Sequence, residues 1–256
     1  MIKNNVLKEK LHKGEKVLGT WCILPSASTV NVLAASGMDF IIIDMEHGPI
    51  SFETAENMVR AAEVENCTPL IRVPRNDEAD ILRALDVGAH GVVVPHIETV
   101  ADRENAIRAI KYHPIGERGL SPFTRAGGYD PEDTSKHAEK ANTKTMSVLI
   151  VEGQEGVKNL EKIMDDSNVD VVYFGLCDLS QALDMPGQLD NPKLKNFVKD
   201  CVARAQKKKV TVGAFTADMK MLRWFKEIGI QFITYSLDST ELCRTFKKIK
   251  SEFSSW

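Results

Sequence analysis

The chain has 256 residues, 43% of them hydrophobic and 27% charged, the balance of a folded globular protein rather than a disordered one. A formal charge of −3 supplies no global field for nucleic acid or an anionic membrane, and no apolar run nears the roughly 18 residues of a bilayer span. Five scattered cysteines without a C-x-x-C pair, and a polar N-terminus without a secretory apolar core, point to free thiols in a reducing, cytoplasmic setting.

In chain order, a helical lead-in over residues 1–14 precedes a first predicted strand, "KVLGTWCI" from Lys16. The second is "DFIIID" from Asp39, followed by the amphipathic "FETAENMVRAAEVE". "TPLIRV" from Thr68 and "GVVVP" from Gly91 are the third and fourth, with "ADILRALDVGA" between them and "ADRENAIRAIKY" after. A long excursion over residues 112–142 breaks the rhythm, opening with the Gly-, Pro- and Arg-rich "YHPIGERGLSPFTRAGGYDPED". Four more strands close the chain: "MSVLIV" from Met146, "DVVYFG" from Asp170, "VTVGAF" from Val210 and "QFITYS" from Gln231. Continuous apolar strands alternating with helices indicate a parallel sheet covered on both faces. Eight of them in one domain spanning residues 1–256 predict a (β/α)₈ barrel. No G-x-G-x-x-G turn follows the first strand, so the doubly wound open sheet lacks its signature.

In such a barrel the reacting groups stand at the carboxyl ends of the strands. There the sequence places Asp44, Glu46 and His47, then Arg72, His96, Glu152 and Asp178. His47 and Arg72 lie about one β/α unit apart, as do Glu152 and Asp178, so each pair comes from adjacent strands. Two carboxylates converging on one mouth repel unless a proton or cation lies between them. With water they form a site for Mg²⁺ or Mn²⁺, and Co²⁺ or Zn²⁺ is compatible. The alternative is that each acid merely caps the helix that follows it. A carboxylate on one ring nitrogen of His47, supplied by Asp44, would make it a general base. Arg72 is placed for a substrate anion, a developing oxyanion, or a salt bridge to Glu46. His96 and Cys177 are expected in supporting or packing roles. No predicted strand carries a lysine near its carboxyl end, so a Schiff-base mechanism has no nucleophile inside the barrel.

The pieces "IIIDMEHGP", "PLIRVPRND", "ALDVGAHGVVVP", "HPIGERGLSP", "VEGQEGVKNL" and "YFGLCDLS", in this order, resemble the HpcH/HpaI family. These are metal-dependent class II aldolases of 2-keto-3-deoxy sugar acids and 4-hydroxy-2-oxo acids. The resemblance runs over nearly the whole chain and implies a barrel that assembles into homo-oligomers, from dimer to hexamer, with its last helix exchanged between copies. It implies a divalent metal on Glu152 and Asp178, His47 as base supported by Asp44, and Arg72 at the keto oxygen. Trp21 would lie beside the substrate, and Asp86 would reach the aldehyde end from a neighbouring copy. The backbone of Gly175, Leu176 and Cys177 would receive the carboxylate of the 2-oxo acid. The implied partners are therefore small molecules, a 2-oxo acid and an aldehyde.

Several positions depart from the family pattern. Ile150 and Gly153 flank the first metal ligand in place of Gln and Thr, and Leu176 replaces a proline before the second. At the eighth strand Tyr235 and Ser236 stand where a small, glycine-containing turn is usual, which predicts a narrower mouth. Two other functions are compatible with the chain. One is a citrate-lyase-β or malyl-CoA-type lyase, with "KYHPIGERGLSPFTR" as a basic surface for CoA phosphates. The other is a catalytically altered barrel serving as a binding or scaffold protein.

Overall fold

The computed structural model describes residues 4–130 and 133–256, and the side chains of Ser135, Cys177 and Asp178 lie outside the described residues. The first half runs α1 (Val6–His12), β1 (Val17–Cys22), α2 (Ala27–Ala35), β2 (Phe40–Asp44), α3 (Phe52–Val64), β3 (Thr68–Arg72), α4 (Glu78–Asp86), β4 (Gly91–Val94) and α5 (Val100–Ile110). The second half continues with α6 (Thr134–Lys144), β5 (Met146–Val151), α7 (Gln154–Ile163), β6 (Val171–Phe174), α8 (Leu176–Ala182), α9 (Pro192–Lys208), β7 (Thr211–Thr216), α10 (Met219–Ile228), β8 (Phe232–Leu237) and α11 (Asp238–Phe253). All eight strands pair in parallel in chain order, and β8 pairs back onto β1. This is the closed (β/α)₈ barrel that the strand count predicts. The excursion contains no strand among its described residues; it is a loop followed by α6.

Strand alternation divides the core into two layers. Trp21, Phe40, Ile42, Leu70, Val93, Met146, Val148, Ile150, Val171, Tyr173 and Phe232 fill the barrel interior. The intervening positions, among them Ile41, Ile43, Ile71, Leu149 and Val172, pack outward against the helices. Continuing the inward register by one step beyond the apolar residues gives Asp44 after Ile42, Arg72 after Leu70 and Glu152 after Ile150. The same alternation that builds the interior therefore aims these three charged side chains at the mouth.

The opposite end is closed. Leu7 and Leu11 of α1 join the interior cluster, and the Asn5 amide donates to the carbonyls of His90 and Lys144 at 2.9 Å each. Nearby, Lys111 is 1% exposed, with Nζ donating to the carbonyls of Asn142 and Thr145 at 2.8 Å each. Burial, then the proximity of Lys8, lowers its ammonium from 10.5 to about 8. Below pH 8 the folded protein carries a poorly solvated cation that the unfolded chain solvates freely. Between about pH 8 and 10.5 the unfolded chain binds the extra proton, so stability gains from this group as pH rises, by a total on the order of 3 kcal/mol. Urea midpoints of wild type and Lys111→Met at pH 7.5 and 9.5 check this. The wild type should gain relative to the variant at the higher pH; parallel behaviour would contradict it.

Candidate active site

One cavity of about 860 Å³ opens at the carboxyl ends of the strands. Trp21, Asp44, His47, Arg72, Glu152, Gly175 and Leu176 all line it, so seven of the residues singled out in the sequence meet there. Asp86 does not. It ends α4 outside this cavity, its Oδ1 accepting from the Arg118 guanidinium at 2.8 Å. The backbone of Cys177 and Asp178 lies in the first turn of α8, but their side chains are outside the described residues.

Arg72 is the electrostatic centre. Its Nε and Nη2 donate to the two oxygens of Asp44 at 2.8 and 2.5 Å, and its Nη1 lies 3.0 Å from Glu46 Oε2. Asp44 is 1% exposed, so the bidentate fork offsets the cost of holding that carboxylate away from water. Asp44 Oδ1 also accepts from the backbone N–H groups of Glu46 and His47 at 3.1 and 3.2 Å. Asp44 thus organises His47 through its backbone. Among the described residues no hydrogen bond joins the Asp44 carboxylate to the His47 ring, which is the contact the sequence suggests. The Glu46 salt bridge, one of three alternatives for Arg72, is present alongside the Asp44 pair.

Two features lie beyond the sequence reading. The first is His96, expected only to support or pack. Its Nδ1 is 2.8 Å from Glu152 Oε1 and its Nε2 is 3.3 Å from Glu46 Oε1, while its backbone N–H donates to Glu152 at 3.2 Å. The residue adopts φ +57, a left-handed conformation that costs a non-glycine residue roughly 1 kcal/mol or more. This imidazole links the β5 acid to the β2 acid. The second is the floor. Tyr173 Oη and Thr234 Oγ1 are 2.5 Å apart, and the Trp21 indole N–H donates to Thr234 at 3.0 Å and to Tyr173 at 3.3 Å. The Arg72 guanidinium lies 4.5 Å from the Trp21 ring centroid, in cation–π range. Complete burial pushes the Tyr173 phenol well above its usual range, with Thr234, Trp21 and Arg72 opposing. Gly213 makes room for that ring, since a Cβ there would stand 2.6 Å from Tyr173 Cδ2.

A family model described as HpcH/HpaI aldolase/citrate lyase matches residues 18–245. The chain belongs to this family. It is a carbon–carbon lyase. Its relatives include a hydroxypyruvate/pyruvate aldolase of Sagittula stellata, 31% identical over 93% of this chain and 94% of the relative. A 4-hydroxy-2-oxo-heptane-1,7-dioate aldolase of Klebsiella pneumoniae is 29% identical over 98% of this chain and 94% of the relative. Among solved structures, an HpcH/HpaI aldolase/citrate lyase family protein from Burkholderia cenocepacia superimposes with a TM-score of 0.90 at 30% identity, covering 98% of this chain and all of that one.

The residues present fit the divalent metal that the family implies. Glu152 offers a hard oxygen donor on the cavity wall, and Leu176, the first residue of α8, lines the same cavity. Among the described residues no group of three or more acid, histidine or cysteine side chains forms a metal cluster, and the Asp178 side chain lies outside that set. Two of the departures from the family pattern have visible surroundings, Gly153 and Ser236. The flexible end of the Glu98 side chain occupies the space beside Gly153 and would have to move for any Cβ there. Ser236 is buried at φ +56, a conformation glycine adopts without strain, and its Oγ has no hydrogen-bond partner. The expected narrowing by Tyr235 and Ser236 is not observed: neither lines the cavity, and Leu237 is the β8 residue that does.

Proposed function

We propose that this lyase reversibly cleaves a 4-hydroxy-2-oxo acid, or a 2-keto-3-deoxy sugar acid, to pyruvate and an aldehyde. One observation carries the reading: the inward positions Asp44, Arg72 and Glu152 converge with His47 on a single cavity at the strand ends. His47 accepts the proton of the C4 hydroxyl as the C3–C4 bond breaks. The electron pair of that bond moves toward C2, and negative charge develops on the keto oxygen. Arg72, held rigid by Asp44 and Glu46 and faced by Trp21, supplies fixed positive charge there without reorganising. The backbone from Gly175 to Cys177 is placed for the carboxylate of the 2-oxo acid. A proton then returns to C3, giving the methyl group of pyruvate. A divalent cation, Mg²⁺ or Mn²⁺ by the hardness of the donors, held by Glu152 and Asp178 would supply Lewis acidity to the same oxygen. The test is exchange of the pyruvate methyl protons in D₂O, followed by NMR with and without divalent metal. Metal-dependent exchange supports the reading, and its absence with every metal in a folded sample would refute it.

We further propose that the protein works as a homo-oligomer, from dimer to hexamer. Leu242, Phe246, Ile249 and Phe253 recur on α11 at spacings of four, three and four, and are 48%, 65%, 53% and 62% exposed. Asp238 is the only residue of that helix that is buried. So large an unpaired apolar stripe is rare on a monomer. A second copy of the barrel is the natural cover for it, and Asp86 would then lie in a neighbouring site. Sedimentation velocity at micromolar concentration decides this, since a lone 28.5 kDa species would contradict it. The free thiols of Cys22, Cys67, Cys201 and Cys243 support a cytoplasmic setting, and no described helix is long and apolar enough to cross a membrane.

A further inference from the structure

The mechanism above leaves two buried hydroxyls unused, those of Tyr173 on β6 and Thr234 on β8. Tyr173 belongs to the interior layer with Phe40, Ile42 and Phe232, where an unpaired hydroxyl is costly. Both hydroxyls are spent on one group. The Trp21 indole N–H can only donate, and it reaches Thr234 Oγ1 at 3.0 Å and Tyr173 Oη at 3.3 Å, while the two hydroxyls meet at 2.5 Å. The Tyr173 ring also meets the indole edge-on, with centroids 5.8 Å apart and planes at 74°. An indole turned over about its bond to Cβ would carry its N–H to the far edge, away from both oxygens. The hydroxyl pair therefore selects one of the two broad orientations open to the ring.

That orientation is read by Arg72, whose guanidinium lies 4.5 Å from the centroid of the Trp21 ring. Its Nε and Nη2 each commit one N–H to Asp44. A guanidinium is planar, so its remaining donors lie in the same plane and their aim follows it. The two-point fork to Asp44 holds one edge of that plane and leaves a hinge about the edge. The Glu46 ion pair at 3.0 Å adds attraction rather than direction, because Glu46 Oε2 receives no hydrogen bond. The indole is the surface that limits the hinge.

We propose that Thr234 and Tyr173 are positioning residues: by gripping the indole N–H they hold Trp21 against the Arg72 guanidinium and so aim its remaining donors at the developing oxyanion. The inference rests on the aldolase reading above and adds the residues that set the direction of its fixed charge. Thr234 does so without lining the cavity, acting through Trp21 alone.

Thr234→Val keeps the branched shape and removes the acceptor, whereas Thr234→Ser keeps the acceptor. In metal-dependent exchange of the pyruvate methyl protons, kcat should fall about tenfold in Thr234→Val with KM nearly unchanged, the signature of a misaimed oxyanion donor. Thr234→Ser should recover most of that loss. Tyr173→Phe leaves the shorter Trp21–Thr234 bond in place and should lose less. Because the effect passes through the indole, Thr234→Val should cost nothing further in a Trp21→Phe background. Equal losses in the Val and Ser variants, or the same loss with and without Trp21, would overturn the proposal. A second readout needs no turnover: the NMR signal of Arg72 Nε–H, assigned by its absence from Arg72→Lys. It should shift in Thr234→Val and not when the same change is made in Trp21→Phe. If wild type exchanges no pyruvate protons but this signal follows that pattern, the aldolase reading fails and the positioning stands. A signal indifferent to Thr234→Val would overturn the positioning alone.

Discussion

Glu152→Ala is expected to lose metal-dependent exchange of the pyruvate methyl protons by roughly 10³-fold or more, the scale of the several kcal/mol a Lewis acid contributes. Glu152 faces the cavity from the end of β5, one inward step beyond Ile150, and its side chain is 21% exposed. Its loss removes a hard oxygen donor and leaves no described carboxylate in its place on that strand. The fold should tolerate the change. Glu152 holds the exposed His96 ring and its backbone N–H at the rim of the mouth, and Val151 beneath stays packed without it. Exchange by NMR should therefore fail while the urea midpoint moves little. Glu152→Gln separates charge from shape: it keeps the volume and the acceptor to the His96 N–H but gives up the anion. Wild-type exchange rates in both variants would remove Glu152 from the site.

Arg72→Met should cost both stability and catalysis. The guanidinium satisfies both oxygens of Asp44 and pairs with Glu46, so truncation strands a carboxylate that is 1% exposed beside a second acid. Breaking one side of a buried ion pair costs about 3–5 kcal/mol, a large share of the net stability of most domains. Arg72→Lys tests a different point, because an ammonium keeps the charge without the planar fork that matches Asp44. It should recover much of the urea midpoint and little of the exchange rate. If Arg72→Lys turned over pyruvate protons at the wild-type rate, the oriented fork would be irrelevant to the chemistry. Thr234 and Tyr173 fix the indole that faces the guanidinium, so the geometry under test is defined from below as well as from the side.

Barrel architecture and the inner site were legible because they follow from local periodicity. Phe40, Ile42 and Asp44 share one face of a strand, as do Leu70 and Arg72, and the sequence alone shows the switch from apolar to charged at the strand end. What sequence could not supply depends on closure of the barrel. The Tyr173–Thr234 contact joins β6 to β8, two strands apart, and becomes possible across the interior where Gly213 on β7 leaves space. His96 was visible as a strand-end histidine, but its bridging role requires a left-handed backbone that no propensity predicts. The cavity wall at Lys195 and Trp224 is assembled from α9 and α10, whose meeting is set by loop geometry rather than by any repeat. Leu237, rather than Tyr235 and Ser236, faces the cavity because β8 ends in the irregular backbone at Ser236, where simple alternation no longer applies.

The plug formed by α1 has a kinetic meaning. With Leu7 and Leu11 seated in the barrel interior, the described structure leaves the strand-end mouth as the approach to Arg72 and Glu152. In the proposed arrangement the 2-oxo acid lies deep and the aldehyde lies between it and water. Loading is then sequential by construction: pyruvate must enter first in the synthetic direction and leave last in cleavage. A tightly held aldehyde would act as a stopper, slowing the escape of pyruvate without touching a single reacting group.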